Sequence, residues 1–117
     1  MGKRSQFPRH ELDFYPTPEA AILPLLPHLK PGTVFDEPCC GDMSLVNHLE
    51  AHGHHCLKAS DIEGGPWRGG GYWASEDALE IQHSDAMCFI TNPPWRRDVL
   101  HPLIDHLTAL KTTWLLI

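Results

Sequence analysis

Residues 88–95, Cys-Phe-Ile-Thr-Asn-Pro-Pro-Trp, constrain the fold of this chain more than any other segment. The first four are apolar and β-prone, which is typical of a short buried strand. The strand must end at Asn92, because Pro93 and Pro94 have no N–H to donate to a sheet ladder. An amide, two stiff carbonyl-bearing residues and the aromatic ring of Trp95 therefore follow the strand. In an open α/β sheet, ligands bind at the carboxyl ends of strands.

These groups suit the methylation of an exocyclic amine. Such an amine is conjugated with its ring, so its lone pair is a poor nucleophile. The Asn92 side-chain oxygen can accept one N–H and the Pro93 carbonyl the other, which would aim the lone pair at a methyl donor. Trp95 could stack on the ring, and a base in a duplex would have to flip out to reach it. Alternatively, the segment has only a structural role, as a strand followed by a Pro-Pro turn and a packed tryptophan. The tetrapeptide alone does not decide between the functional and the structural interpretation.

The composition indicates one small domain. The chain has 117 residues and a net charge of -6, which argues against strong non-specific binding to a polyanion. Residues 1–12 are locally basic and are expected to form a flexible arm. The chain shows neither an apolar stretch that could span a bilayer nor a visible signal peptide, so a cytoplasmic protein is expected.

The cysteines are then expected to be reduced thiols. Cys39 and Cys40 are adjacent, which is not the spacing of a structural zinc site. Together with the segment 54–56 (His-His-Cys) they could be imagined as a metal cluster, but the pattern does not favour one. No metal site is predicted.

The first element after the arm is predicted to be a helix over residues 18–29. Thr17 suits an N-cap, and Pro18 suits the first helical position. Pro24 and Pro27 are expected to shorten or kink this helix.

A β-loop-α-β unit follows in the sequence pattern. Its parts are a first strand over 33–38, a loop of small residues over 37–44, a helix over 45–52 that Asp42 or Ser44 can cap, and a second strand over 55–60. Asp61 lies at the carboxyl end of the second strand. It can accept hydrogen bonds from both hydroxyls of a ribose, or it can be an ordinary strand-ending cap.

The second half of the chain begins with a glycine-rich loop. Residues 63–75 interleave five glycines with large aromatic residues, which either close over a site or pin the loop down. Any third strand there must be very short. Beyond the strand that ends at Asn92, Asp98 is expected to cap a helix to about Leu110, and a last strand is predicted over 113–117. Arg96 and Arg97 could contact phosphates or be solvated.

In this order, the segments resemble those of the Rossmann-like, S-adenosylmethionine-dependent adenine-N6 DNA methyltransferases. Residues 13–18 are similar to the family's amino-terminal motif, which contacts the methionine end of the cofactor. Residues 37–43 resemble its glycine-rich motif, which wraps the methionine and sulfonium. Residues 60–62 resemble the motif whose acid holds the ribose and whose apolar residue packs on adenine. Residues 77–79 resemble the motif whose acid reads the adenine amine, and residues 92–95 match the catalytic tetrapeptide.

The resemblance implies two sets of site residues. The implied cofactor contacts are Tyr15, Thr17, Pro18, Glu37, Pro38, Cys39, Gly41, Asp61, Ile62, Asp77 and Ala78. The implied catalytic residues are Asn92, Pro93, Pro94 and Trp95. Met43 departs from the family pattern, since it stands where the family usually has a second glycine.

The expected protein is a single, partial methyltransferase domain over 13–117, with a mainly parallel α/β sheet that is shortened after its fifth strand. The family normally adds further strands and often a target-recognition region. The expected cofactor is S-adenosylmethionine and the expected partner is DNA, in a bacterial or phage-infected cell. An unpaired apolar edge on the last strand favours a homodimer. The alternatives are a methyltransferase acting on an RNA base or a protein glutamine, and a non-catalytic cofactor-binding or interaction module.

Overall fold

The computed structural model of the chain describes residues 16–62, 65–66 and 72–116. Six strands lie within these ranges: β1 (Val34–Glu37), β2 (His55–Asp61), β3 (Gly65–Pro66), β4 (Tyr72–Ser75), β5 (Cys88–Thr91) and β6 (Thr113–Leu115). The α-helices are α1 (Ser44–Ala51) and α2 (Arg97–Leu110), and three short 3-10 helices cover Glu19–Ala21, Leu26–His28 and Ala78–Glu80.

The strands form one sheet in the order β3-β4-β2-β1-β5-β6. Every neighbouring pair is parallel except β3 and β4, which are antiparallel. The prediction of an α/β fold with a mainly parallel sheet is confirmed. β1 is central: the chain runs from it to β2 and β4 on one side, and later fills the other side with β5 and β6. This is a topological switch point, so a ligand is expected beyond the carboxyl ends of β1 and β5.

Side chains alternate between the two faces of the sheet along each strand, so β5 contributes to a core on both faces. Ile90 of β5 packs on one face with Phe35 of β1 and with Leu45 and Leu49 of α1. The neighbouring Phe89 points to the other face. There it packs with Leu103 and Leu107 of α2, with Ala78 of the third 3-10 helix and with Ile81, which follows that helix. All four residues of β5 are buried, as the apolar run 88–91 predicted.

The predicted helix over residues 18–29 is wrong. The segment instead forms the 3-10 helices Glu19–Ala21 and Leu26–His28, joined by turns. Pro24 and Pro27 remove two helical N–H donors, and their rings clash with carbonyls one turn earlier, so no continuous α-helix can form. The N-cap of the first 3-10 helix is Pro18, not Thr17. Ile22 and Leu25 still reach the core from this segment.

The predicted cap of the second α-helix is also wrong. Asp98 lies inside the first turn of α2, and the N-cap position is Arg96, which makes no side-chain capping bond. The two side chains instead pair with each other, with 2.7 Å between Arg96 Nη2 and Asp98 Oδ2. No helix in the described ranges is long and apolar enough to cross a membrane.

Candidate active site

Three polar side chains from separate strands meet at the carboxyl edge of the sheet. Glu37 ends β1, Asp61 ends β2 and Asn92 follows β5. Parallel strands place their carboxyl ends on the same side, so residues far apart in sequence come together there. Glu37 is only 1% exposed, while Asp61 and Asn92 are half-buried. This edge is therefore the candidate site.

The loop after β1 ties the first two of these strands together through its backbone. The Cys39 N–H donates to Glu37 Oε1 at 2.8 Å, and the Gly41 N–H donates to Asp61 Oδ2 at 3.0 Å. The Cys40 N–H donates to the carbonyl oxygen of Ser60 at 2.9 Å. The loop thus fixes both carboxyl groups at the edge where the resemblance expects the cofactor.

Met43 has a left-handed backbone, with φ 73° and ψ 10°, at the N-cap position of α1. An L-residue pays about 1–2 kcal/mol for this conformation, which glycine adopts without a penalty. The position therefore favours the glycine that the resemblance expects. Neither residue predicted to cap the helix is at the N-cap position, because Met43 occupies it and makes no side-chain capping bond; Asp42 lies one residue earlier and accepts the Ser44 N–H at 2.9 Å.

We expect Met43→Gly to be about 1 kcal/mol more stable than Met43→Ala. Both variants lose the packing of the methionine side chain, so the difference isolates the left-handed backbone. Urea unfolding measures it. Asn47, exposed in α1, is the matched control: there the glycine variant should be less stable than the alanine variant by about 1 kcal/mol. The same order at both positions would contradict the strain assigned to Met43.

The candidate site contains several carboxyl groups, and part of it is shielded from solvent. Burial raises the pKa of Glu37 to about 8, and the hydrogen bond from the Cys39 N–H lowers it only in part. Glu37 is therefore protonated at neutral pH. Burial also raises the pKa of the Cys39 thiol, and the charges of Glu37, Asp61 and Asp77 raise it further. Asp61 and Asp77 thus bring negative charge near Cys39, and the protonated Glu37 adds a neutral carboxyl group, which suits a ligand that brings positive charge and hydrogen-bond donors.

The Asn92 side chain is held by a hydrogen bond to Thr17, which lies in the segment before β1. Asn92 Nδ2 donates to Thr17 Oγ1 at 3.1 Å, and the Thr17 carbonyl oxygen lies 2.9 Å from His48 Nε2. Asn92 Oδ1 is buried and has no hydrogen-bond partner among the described residues. A buried acceptor without a partner costs about 1–3 kcal/mol, and such groups concentrate at functional sites.

An apolar cleft of about 380 Å³ borders this amide. Asn92 and Trp95 line one end, and Trp95 is 46% exposed. The rest of the wall comes from the segment before β1 and from the end of β6: Thr17, Pro18, Ala21, Pro24, Leu25, His28, Trp114, Leu115 and Leu116. The rings of His28 and Trp114 stack, with centroids 5.9 Å apart. The volume is within the range of small-molecule sites, and the lining suits a planar ring.

The remaining predicted cofactor residues fall into different environments. Asp77 follows β4, and its Oδ1 accepts the Leu79 N–H at 2.9 Å, so one of its oxygens caps a 3-10 helix. Ile62 is 66% exposed, which leaves it open to a ligand. Pro38 and Ala78 are buried, Ala78 in the core beneath α2. Tyr15 and residues 13–14, like the arm 1–12, lie outside the described residues, as do Trp67 and most of the glycine-rich loop.

Sequence reasoning missed His48, His28 and Trp114 as neighbours of the site. Trp114 could have been found, because β6 pairs with β5 and its carboxyl end must fall beside Asn92. His28 and His48 gave no comparable signal among nine scattered histidines. Among the described residues, no group of three or more His, Cys, Asp or Glu is arranged to hold a metal ion.

Comparisons with known proteins give no relative for this chain. No family model matches it, and neither a curated protein nor a solved structure matches it. A function must therefore be inferred from the site itself and from the sequence motifs.

Proposed function

We propose that this chain is a Rossmann-like, S-adenosylmethionine-dependent methyltransferase that acts on the exocyclic N6 amine of adenine in DNA. The observation that carries the proposal is the Asn92 amide: its nitrogen is bound to Thr17, and its buried oxygen has no partner among the described residues. It lies beside an apolar cleft at the switch point of a parallel sheet. The five motifs, in the family's order, support the same function.

The donor set at the carboxyl edge fits the cofactor. S-adenosylmethionine carries an ammonium, a sulfonium and two ribose hydroxyls, and when bound it would supply an electrophilic methyl group. Asp61 and Asp77 bring negative charge near Cys39, and Glu37 adds a neutral carboxyl group that can accept a hydrogen bond. Asp61 is held by the Gly41 N–H at the end of β2, where an acidic residue can accept ribose hydroxyls.

Asn92 and Pro93 would orient the amine. Asn92 Oδ1 accepts one N–H and the Pro93 carbonyl the other, which turns the nitrogen lone pair out of conjugation with the ring. An amine held in this way would present its lone pair to the methyl group that the bound cofactor would supply. The amine proton leaves along the hydrogen bond to an acceptor and passes to water. Placing the reactants in line is the main contribution of these residues.

Trp95 would hold the base. Its ring is half-exposed at the mouth of the cleft, where a flipped-out or single-stranded base can stack on it. The acidic net charge of -6 predicts weak DNA binding by the chain alone.

The experiment is a methyl-transfer assay with labelled cofactor on single-stranded and duplex DNA, RNA and a glutamine-containing peptide. Calorimetric titration of the cofactor accompanies it. The proposal predicts one-site cofactor binding that Asp61→Ala abolishes, and label on adenine N6. Transfer to RNA or to glutamine would reassign the substrate. Cofactor binding without transfer to any substrate would favour a non-catalytic module, and absence of binding would overturn the proposal.

The outer edge of β6 is a candidate pairing edge. β6 is the last strand in the sheet order, so within the described residues only β5 pairs with it. Unpaired edges tend to pair with another chain, and we expect a homodimer formed through β6. Light scattering should give twice the monomer mass, and Thr113→Pro should lower it, because the Thr113 N–H points away from β5 and proline cannot donate at this edge. A monomer at all concentrations tested would contradict this expectation.

A further inference from the structure

We propose that Thr17, held in place by His48, is a positioning residue that sets the orientation of the Asn92 amide. This task differs from the cofactor contact that the resemblance implies for Thr17. The consequence for turnover rests on the proposed function, whereas the orientation of the amide can be tested without it.

The contacts define the orientation. Asn92 Nδ2 lies 3.1 Å from Thr17 Oγ1, and the Thr17 side chain is buried with the residue 6% exposed. The observed amide leaves one acceptor, Oδ1, without a partner among the described residues. In the reversed amide the Thr17 hydroxyl would donate to Oδ1, but both N–H groups of Nδ2 would lack an acceptor beside an apolar wall, whereas the observed amide keeps one of them bonded. A reversed amide would also present donors to an amine that needs acceptors.

His48 fixes the backbone of Thr17. A carbonyl oxygen only accepts, so the 2.9 Å contact requires His48 Nε2 to carry a proton and donate it to the Thr17 carbonyl. His48 lies on α1, which Leu45, Val46 and Leu49 anchor in the core. Thr17 belongs to a segment of turns and 3-10 helices without a sheet ladder of its own. The bond from α1 therefore connects this irregular segment to a rigid element.

The test compares Thr17→Val, which keeps the shape and loses the acceptor, with Thr17→Ser, which keeps the acceptor. The first readout is NMR of the Asn92 side-chain NH₂ group, assigned by its absence in Asn92→Asp. In the wild type and in Thr17→Ser, we expect slow exchange of these protons with water. In Thr17→Val the exchange should be faster by about tenfold, the equivalent of about 1.4 kcal/mol.

The second readout is kinetic. Thr17→Val should lower kcat by about 10- to 100-fold, with cofactor affinity within about twofold of the wild type, and Thr17→Ser should restore most of kcat. His48→Gln keeps a side-chain N–H donor and should behave as wild type. His48→Leu should show the Thr17→Val phenotype in milder form. Circular dichroism and urea unfolding confirm that each variant is folded.

Two results would overturn the inference. One is an Asn92 NH₂ signal in folded Thr17→Val that exchanges as in the wild type. The other is a loss of cofactor affinity as large as the loss of kcat, which would make Thr17 a cofactor contact instead. If the wild type transfers no methyl group, the proposed function fails, but the NMR comparison still decides the orientation of the amide. Should Thr17→Val not fold, the pair His48→Gln and His48→Leu gives the same NMR comparison.

Discussion

Replacing Asn92 with alanine should lower methyl transfer by at least about 100-fold while leaving cofactor affinity within about twofold. Removal of one preorganised hydrogen-bonding group from an active site costs about 10²–10³ in kcat. Asn92 Oδ1 is the unpartnered oxygen beside the cleft, whereas the carboxyl groups expected to hold the cofactor lie on β1 and β2. The loss should therefore appear in kcat and not in binding. Single-turnover kinetics and calorimetry measure the two quantities separately.

Asn92→Asp is the matched control. A carboxylate keeps an oxygen where Oδ1 lies, and the Thr17 hydroxyl can turn from acceptor to donor to satisfy the second oxygen. This variant should retain more turnover than Asn92→Ala. Equal losses of turnover and cofactor affinity in Asn92→Ala would show that Asn92 belongs to the cofactor pocket, and wild-type turnover would remove it from the reaction.

Replacing Glu37 with glutamine should make the protein more stable at alkaline pH and leave it unchanged at acid pH. The folded-state pKa of Glu37 is about 8, against 4.5 as the ordinary value. Between these values the folded state holds a proton that the unfolded state has lost, so this group makes stability fall as pH rises from about 4.5 to about 8. Since a tenfold change in proton affinity corresponds to about 1.4 kcal/mol, the loss of stability reaches about 5 kcal/mol above pH 8.

Glutamine removes this titration and still offers an oxygen to the Cys39 N–H, which donates to Glu37 Oε1 at 2.8 Å. Urea unfolding at a series of pH values, from about 4.5 to about 9, measures the difference between wild type and variant. That difference should grow through the interval, because all other titrating groups cancel. Parallel curves for the two proteins would mean that Glu37 ionises near its ordinary pKa.

The elements that the sequence predicted well are those whose signal is local. β5 ends where two prolines stop the ladder, and α1 begins within one residue of the predicted position, although its N-cap is Met43 and not Asp42 or Ser44. Asp61 falls at the end of β2 as expected. The edge that carries Glu37, Asp61 and Asn92 follows from parallel pairing, so the position of the candidate site could be predicted before its geometry was known.

The predictions that failed lie where neighbouring residues favour different local structures. Over residues 18–29, the apolar spacing and Pro18 favour a helix, but Pro24 and Pro27 prevent it, and the outcome is two 3-10 turns. At α2, Asp98 is a good cap by composition, yet it lies within the first turn of the helix and pairs with Arg96. Nothing local could have indicated that Thr17 bonds to Asn92, since the contact exists only when the sheet has formed.

The hydrogen bond between Asn92 and Thr17 joins residues 75 positions apart, so the candidate site can be completed only late in the synthesis of the chain. β1, α1 and β2 are contiguous and can associate as soon as residues 34–61 have been synthesised. The amide comes with β5, and its link to Thr17 closes a loop whose entropic cost increases with the logarithm of its length. A ribosome-bound intermediate can thus hold the carboxyl groups of Glu37 and Asp61 before the Asn92 amide joins them. Ile22 and Leu25 of the segment that carries Thr17 pack with Ile90 in the core, so this bond is one of several contacts that hold the segment to β5.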